Sequence, residues 1–168
     1  LIPRKGHQYL LQAVADLKDR YPQIRLVIFG EGYLNSQLRA QAASLGLGDV
    51  VAFAGFRDDL DEFVSCFDLF AHPALAEGLG VAALKAAAAR VPVVGFAAGG
   101  MVEAVAHEKT GLLVAPEDSD ALGNAIARLI DDPELRSQFG EAGRERMQNE
   151  FSIATMADRH VDLYESLL

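Results

Sequence analysis

Cysteine is nearly absent from this 168-residue sequence, in which Cys66 is the only one. A single thiol excludes an internal disulfide, so a reducing compartment, the cytoplasm, is the simplest expectation. Apolar residues lie on both sides of Cys66. They predict that its thiol is buried and structural rather than reactive.

Positive charge is also scarce, because 15 Lys and Arg oppose 24 Asp and Glu and leave a formal net charge of −9. A surface of this sign repels a phosphate backbone and an anionic bilayer, so no nucleic acid is expected as a partner and lipid is a poor one. A small phosphate ligand is not excluded, since a few local amides and cations can hold it within an acidic protein.

Long hydrophobic runs are missing as well. The most apolar stretch, residues 80–102, is interrupted by Lys85, Arg90, Pro92 and four glycines. This pattern predicts a helix followed by a strand rather than a membrane span.

The sequence does contain a regular alternation of helical and strand patterns. Helices are predicted at residues 7–21, 34–45, 60–67, 80–90 and 101–107, and then after caps at Asp118, Asp132 and Ser152, the last reaching the chain end. Strands are predicted at residues 26–29, 50–54, 69–71, 92–96 and 111–115. The alternation predicts one α/β domain over residues 1–168, with a Rossmann-like parallel sheet covered by helices on both faces. Ligands of such sheets bind beyond the carboxyl ends of the strands, here residues 30–32, 55–57, 73–80 and 97–100.

Several kinds of site are excluded by missing motifs. Metal-ligand spacing is absent from the four histidines, which are His7, His72, His107 and His160, so no metal is expected. No serine lies in a G-x-S-x-G elbow, and no G-x-x-x-x-G-K-[ST] phosphate loop occurs. Gly78-x-Gly80-x-x-Ala83 approaches a dinucleotide fingerprint, but the next strand ends without the acidic residue that holds a ribose. A nicotinamide cofactor is therefore disfavoured.

The most informative stretch is Glu77-Gly78-Leu79-Gly80, directly before a predicted helix. Glycines at a helix N-terminus let backbone N–H groups approach an anion closely. A carboxylate beside them can accept hydrogen bonds from sugar hydroxyls. One loop could thus hold both a phosphate and a sugar, although a plain helix entry with a solvated glutamate has the same spacing.

Six short motifs occur in the order and spacing of one family: Lys5-Gly6-His7, Phe29-Gly30-Glu31-Gly32, Phe53-Ala54-Gly55-Phe56, Glu77-Gly78-Leu79-Gly80, Pro92-Val93-Val94 with Gly99-Gly100, and Thr110-Gly111-Leu112-Leu113-Val114. On these motifs the chain resembles the family 4 retaining glycosyltransferases of GT-B fold, the group 1 glycosyl transferases. The resemblance is to their C-terminal donor-binding domain. It covers essentially the whole chain and is less specific for the sugar than for the family.

The resemblance implies a nucleoside diphosphate sugar as donor substrate, with no cofactor. Its catalytic pair would be Lys5, on the donor diphosphate, and Glu77, on hydroxyls of the transferred sugar. Donor contacts are implied at Gly30, Gly32, Phe56, Arg57, Gly78, Leu79, Gly80, Gly99 and Gly100, which would supply amides and pocket walls. From spacing alone, a solvated Lys5 or Arg57 and a plain helix entry at Gly99-Gly100 remain open.

The chain opens at Leu1 without a methionine, and no predicted helix or strand precedes Lys5-Gly6. We interpret this opening as a cut within a longer two-domain protein. By the resemblance, the first strand of the sheet, a diphosphate-binding arginine and the N-terminal acceptor-binding domain would all precede Leu1. Any peripheral membrane association would belong to that domain, and the chain alone would not transfer sugar.

Lys85 departs from the family pattern, which has a second glutamate here to accept the ribose hydroxyls. An ammonium group donates hydrogen bonds and accepts none. Lys85 could instead reach a phosphate or turn to solvent. Beside an enzyme of polysaccharide or glycolipid biosynthesis, a non-catalytic nucleotide-sugar-binding protein therefore stays open. A sugar-nucleotide epimerase is disfavoured by the scattered histidines.

Overall fold

The computed structural model describes residues 1–167, which form eight α-helices and five strands. The helices are α1 His7–Leu17, α2 Asn35–Ser44, α3 Leu60–Phe63, α4 Val81–Ala88, α5 Met101–Ala104, α6 Ser119–Asp131, α7 Pro133–Glu150 and α8 Ile153–Ser166. The strands are β1 Leu26–Phe29, β2 Val51–Gly55, β3 Phe70–His72, β4 Val93–Phe96 and β5 Gly111–Val114. The predicted alternation is confirmed. Leu168, where the last helix was predicted to end, lies outside the described residues.

Three helix caps predicted from the sequence are confirmed. The Asp118 carboxylate accepts from the amide of Ala121 at 2.8 Å, and Asp132 accepts from Leu135 at 2.9 Å with Pro133 at the first helical position. Ser152 Oγ accepts from the amide of Thr155 at 3.1 Å. Each cap satisfies a backbone donor that the first helical turn leaves without a partner. These local signals therefore set the starts of α6, α7 and α8.

The five strands run parallel but form two sheets rather than one continuous sheet. Among residues 1–167, β1 pairs only with β2, and the other sheet has the order β3-β4-β5. β1 and β3 therefore each keep an unpaired edge, with exposed N–H and C=O groups.

The first residues of the chain lie between the carboxyl ends of β1 and β3. The amino group of Leu1 donates to the carbonyl of Glu31, which follows β1. The amide of Leu75, which follows β3, donates to the carbonyl of Arg4 at 2.7 Å. This segment, with a 3₁₀ turn at Pro3–Lys5, places Lys5 at the ligand-binding end of the strands.

Helix α4 is packed closely enough to fix the loop that precedes it. Its buried side chains are all alanines, Ala83, Ala86 and Ala87. Small residues on α7 match them, because a Cβ added to Gly143 would contact Ala87 at 3.4 Å. The four residues of β4 are all buried, as a continuous apolar run in a central strand requires. The N-terminus of α4 is thus held against the sheet.

Two features of the apolar segments bear on the sequence predictions. No helix among residues 1–167 is both long and apolar enough to cross a bilayer, and residues 80–102 contain α4 and β4. The prediction of a buried Cys66 was wrong, because the side chain is exposed. The helix ends at Phe63, and the 3₁₀ turn Val64–Cys66 points Val64 inward and Cys66 outward.

Candidate functional site

The loop between β3 and α4 brings Lys5, His72 and Glu77 together. Lys5 Nζ lies 2.5 Å from Glu77 Oε2, and His72 Nε2 lies 2.8 Å from the same oxygen. The side chains of Glu77 and His72 are only 15% and 11% exposed. His72 was not predicted from the sequence as a site residue, although it stands at the end of β3, directly before the loop. A largely buried carboxylate is thus held from two sides by hydrogen-bond donors.

The environment keeps Glu77 ionised. Burial raises its pKa, but the hydrogen bonds from Lys5 and His72 outweigh that and lower the pKa to about 2. Burial lowers the pKa of His72, so at neutral pH its uncharged ring donates from Nε2 to the carboxylate. Glu77 Oε1 accepts only the amide of Gly78, at 3.2 Å, among the described groups. This oxygen therefore retains acceptor capacity for a ligand hydroxyl.

The backbone after Glu77 presents free donors. Gly80 adopts a left-handed conformation (φ 74°) and precedes the first residue of α4. Within residues 1–167, no protein acceptor takes the amides of Leu79, Gly80, Val81 or Ala82. Four such N–H groups at the positive end of a helix dipole suit a phosphate group. Backbone N–H donors without partners and a carboxylate with remaining acceptor capacity thus lie side by side.

The glycine pair Gly99-Gly100 packs directly against the backbone of this loop. The amide of Gly100 donates to the carbonyl of Glu77 at 3.0 Å. A Cβ on Gly100 would overlap the carbonyl oxygen of Gly78, and one on Gly99 would overlap that of Glu77. The pair therefore lets the start of α5 approach the Glu77 loop, a role that the sequence did not predict.

The other predicted contacts lie at the ends of β1 and β2. Gly30 donates to the carbonyl of Gly55 at 2.6 Å, and Gly32 is packed against Leu1. Phe56 is 71% exposed, and Arg57 forms an ion pair with Asp59. Among residues 1–167, no hydrogen bond or ion pair joins Phe56 or Arg57 to the Glu77 loop, so they form a second part of the candidate site.

A polar cavity of about 490 Å³ borders this second part. Its lining residues are Glu31, Gly32, Asn35, Arg39, Phe53, Ala54 and Gly55. Sequence analysis missed Asn35 and Arg39, which come from α2. Arg39 lies over the Phe53 ring at 4.6 Å and donates to Asn35 Oδ1 at 2.8 Å. The planar Arg39 guanidinium thus provides a cationic group in this cavity, beside the carboxyl ends of β1 and β2.

Lys85 is neither at the Glu77 loop nor free in solvent. Its Nζ lies 2.7 Å from Asp61 Oδ2, and both side chains are more than half exposed. Asp61 belongs to α3, so a search along the helix after Glu77 could not find it.

Among residues 1–167, no three His, Cys, Asp or Glu side chains converge as metal ligands would.

Protonation of His7 makes the free energy of unfolding depend on pH. Burial, and more weakly neighbouring positive charges, lower its pKa from 6.5 to about 4, and its buried Nδ1 has no described hydrogen-bond partner. As the pH falls, the unfolded chain binds a proton at His7 before the folded chain does. The stabilisation from an uncharged His7 is therefore fully present above pH 6.5 and is lost as the pH falls towards 4. The loss is at most about 3 kcal/mol.

We expect His7→Asn to flatten this pH dependence. Urea unfolding at pH 7 and pH 4.5 should show a smaller drop in the free energy of unfolding for the variant than for the wild type. His160→Asn, on exposed α8, serves as the matched control and should leave the drop unchanged. Equal drops for His7→Asn and wild type would contradict the assignment.

Comparison with known proteins identifies the family. The sequence pattern of the glycosyl transferases group 1 matches residues 1–146. A GDP-mannose-dependent alpha-(1-6)-phosphatidylinositol monomannoside mannosyltransferase of Mycobacterium tuberculosis is 36% identical over 96% of the chain. The chain belongs to the group 1 glycosyl transferases.

Solved structures place this group 1 domain within larger proteins. HepE of Anabaena, in complex with UDP, matches 99% of the chain with a TM-score of 0.90 and 29% identity, over 46% of its own length. The C-terminal domain of the group 1 protein LpcC from Francisella tularensis matches 91% of the chain with a TM-score of 0.83 and 25% identity, over 83% of its own length. The chain spans only 44% of the mycobacterial relative. The resemblance to the C-terminal half of a GT-B protein is confirmed.

Proposed function

We propose that the full-length protein transfers a sugar from a nucleoside diphosphate sugar to a hydroxyl acceptor, and that this chain is its donor-binding domain. The carrying observation is the ionised Glu77, whose Oε1 retains acceptor capacity beside its one bond from Gly78, directly before four free amides at the start of α4. The UDP complex of HepE and the GDP-mannose dependence named for the mycobacterial relative support such a donor. The proposed role is polysaccharide or glycolipid assembly in the cytoplasm, and the phosphatidylinositol monomannoside named for the mycobacterial relative supports a glycolipid.

The proposed chemistry assigns a task to each group. The amides of residues 79–82 hold the diphosphate and stabilise the negative charge that grows as the sugar–phosphate bond breaks. Glu77 Oε1 accepts a sugar hydroxyl and fixes the orientation of the ring. Lys5, now paired with Glu77, lies where its ammonium group can be shared with the diphosphate. The acceptor oxygen bonds to the freed sugar carbon with retention, and its proton leaves with the nucleoside diphosphate.

We further propose that an N-terminal acceptor-binding domain completes the enzyme. Helix α8 supports this partner, because it buries no residue and exposes Ile153, Met156, Val161, Leu163 and Tyr164. An exposed apolar face of this kind commonly marks a surface that binds another protein or domain. The unpaired edges of β1 and β3 support a further strand before Leu1.

Extension of the chain upstream of Leu1 tests the further strand. Restoring the natural preceding residues should raise the melting temperature by about 2–4 °C for each kcal/mol gained, because a strand between β1 and β3 would pair both edges. An extension of equal length made of Gly and Ser should give no increase. Equal melting temperatures for both extensions would contradict the proposal.

The proposed transfer is tested with UDP-, GDP- and ADP-sugars on the full-length protein. At least one donor should raise the melting temperature and support transfer to a lipid or glycan acceptor, whereas residues 1–168 alone should bind without transferring. No thermal shift with any donor would contradict the proposal. Binding without transfer by the full-length protein would favour the non-catalytic alternative.

A further inference from the structure

The ion pair between Lys85 and Asp61 joins two parts of the candidate site. Lys85 lies four residues after Val81, or about 6 Å along the α4 axis from the free amides. Asp61 lies on α3, directly after the loop that carries Phe56 and Arg57. Exposed pairs of this kind contribute little to folding stability. The pair therefore matters chiefly for where it places the Asp61 carboxylate.

Aromatic packing anchors α3, the short helix that carries Asp61. The Phe63 ring of α3 lies 5.9 Å from that of Phe29, at the end of β1, and 6.1 Å from that of Phe67. The Arg57 guanidinium lies over the Phe63 ring at 5.5 Å. Asp61 thus projects from a short helix anchored on its Phe63 side. Its Oδ2 is bonded to Lys85, and its Oδ1 has no hydrogen-bond partner among the described residues.

We propose that Asp61, positioned by Lys85, accepts the ribose hydroxyls of the donor nucleotide. This inference rests on the proposed donor-binding function. In a nucleoside diphosphate, the ribose lies between the phosphates and the base. Here Asp61 is joined through Lys85 to α4, whose start carries the free amides, and it follows by five residues the exposed Phe56 ring, on which a base can stack.

The chemistry of the pair favours the aspartate as the contact. A carboxylate accepts hydrogen bonds from two neighbouring hydroxyls, whereas an ammonium group only donates. Lys85 can therefore orient Asp61 but cannot replace it. Direct binding of Lys85 to a phosphate is the competing arrangement, and in that case removing the Asp61 charge would free Lys85 and keep or strengthen binding.

Calorimetric titration of the full-length protein separates these cases. The ligands are UDP, GDP and ADP, each beside its 2′-deoxy analogue, and the variants are Asp61→Asn, Lys85→Met and the control Glu62→Gln on the same helix. Asp61→Asn should weaken ribonucleotide binding roughly ten- to hundredfold and should weaken binding of the 2′-deoxy analogue, which retains only its 3′-hydroxyl, by a smaller factor. Lys85→Met should cause a smaller loss of the same kind, because the carboxylate remains but is no longer held. Glu62→Gln should match the wild type.

The outcomes distinguish this inference from the proposed function. If the wild type binds a ribonucleotide and Asp61→Asn keeps the wild-type preference for ribose over deoxyribose, the Asp61 assignment is overturned and donor binding stands. Tighter binding by Asp61→Asn would overturn it in favour of Lys85 on a phosphate. If the wild type binds neither UDP nor GDP nor ADP, the donor-binding function itself fails.

Discussion

Replacing Glu77 with glutamine in the full-length protein should lower the rate of sugar transfer roughly a hundredfold, the loss typical of a misplaced substrate. The amide keeps the size of the side chain but removes the charge that Lys5 and His72 surround. It also turns one acceptor atom into a donor that meets other donors. The sugar therefore loses its charged acceptor, and Lys5 loses its counter-ion.

Binding of the nucleoside diphosphate without its sugar should be kept or strengthened in this variant, because the amides of residues 79–82 are untouched and Lys5 is released from its ion pair with Glu77. Initial-rate measurements and titration with the plain diphosphate separate the two effects. Glu134→Gln, an exposed carboxylate in the first turn of α7, is the matched control. A wild-type rate of transfer in Glu77→Gln would show that Glu77 is not a catalytic residue.

Gly100→Ala should weaken donor binding at least about tenfold, through displacement of the Glu77 loop. The φ of Gly100 is −63°, which any residue adopts, so backbone strain is not the cause. The added methyl group would overlap the carbonyl oxygen of Gly78. Overpacking of this kind costs about 1–3 kcal/mol, which the loop can relieve only by moving away from α5.

Gly48→Ala is the control for this substitution, since its Cβ would meet no atom within 4 Å. Both variants can be compared by thermal unfolding and by titration with the donor nucleotide. Gly100→Ala should lose affinity and several degrees of melting temperature, and Gly48→Ala neither. Wild-type affinity in Gly100→Ala would show that the glycine pair does not support the loop.

The sequence predicted those parts of the fold that depend on local signals. The Asp118, Asp132 and Ser152 caps are such signals, because each bonds an amide three residues onward. The division into two sheets was not predictable in this way, since strand pairing depends on long-range contacts that a local pattern does not encode. The exposure of Cys66 was mispredicted because a short 3₁₀ turn turns Val64 towards the core and Cys66 towards solvent.

The candidate site was predicted in part. Glu77 and the following glycines could be found from loop chemistry, but the closeness of Lys5, 72 residues away, came only from the family resemblance. His72 was missed because a lone histidine at a strand end has no spacing signature. The Asp61 partner of Lys85 was missed because it lies 24 residues earlier, on a different helix.

The most direct test of the account is a crystal structure of the full-length protein with an intact UDP- or GDP-sugar. We expect diphosphate oxygens to accept hydrogen bonds from the amides of residues 79–82 and a sugar hydroxyl to donate to Glu77 Oε1. A donor whose diphosphate lies away from the start of α4, or whose sugar does not contact Glu77, would contradict it.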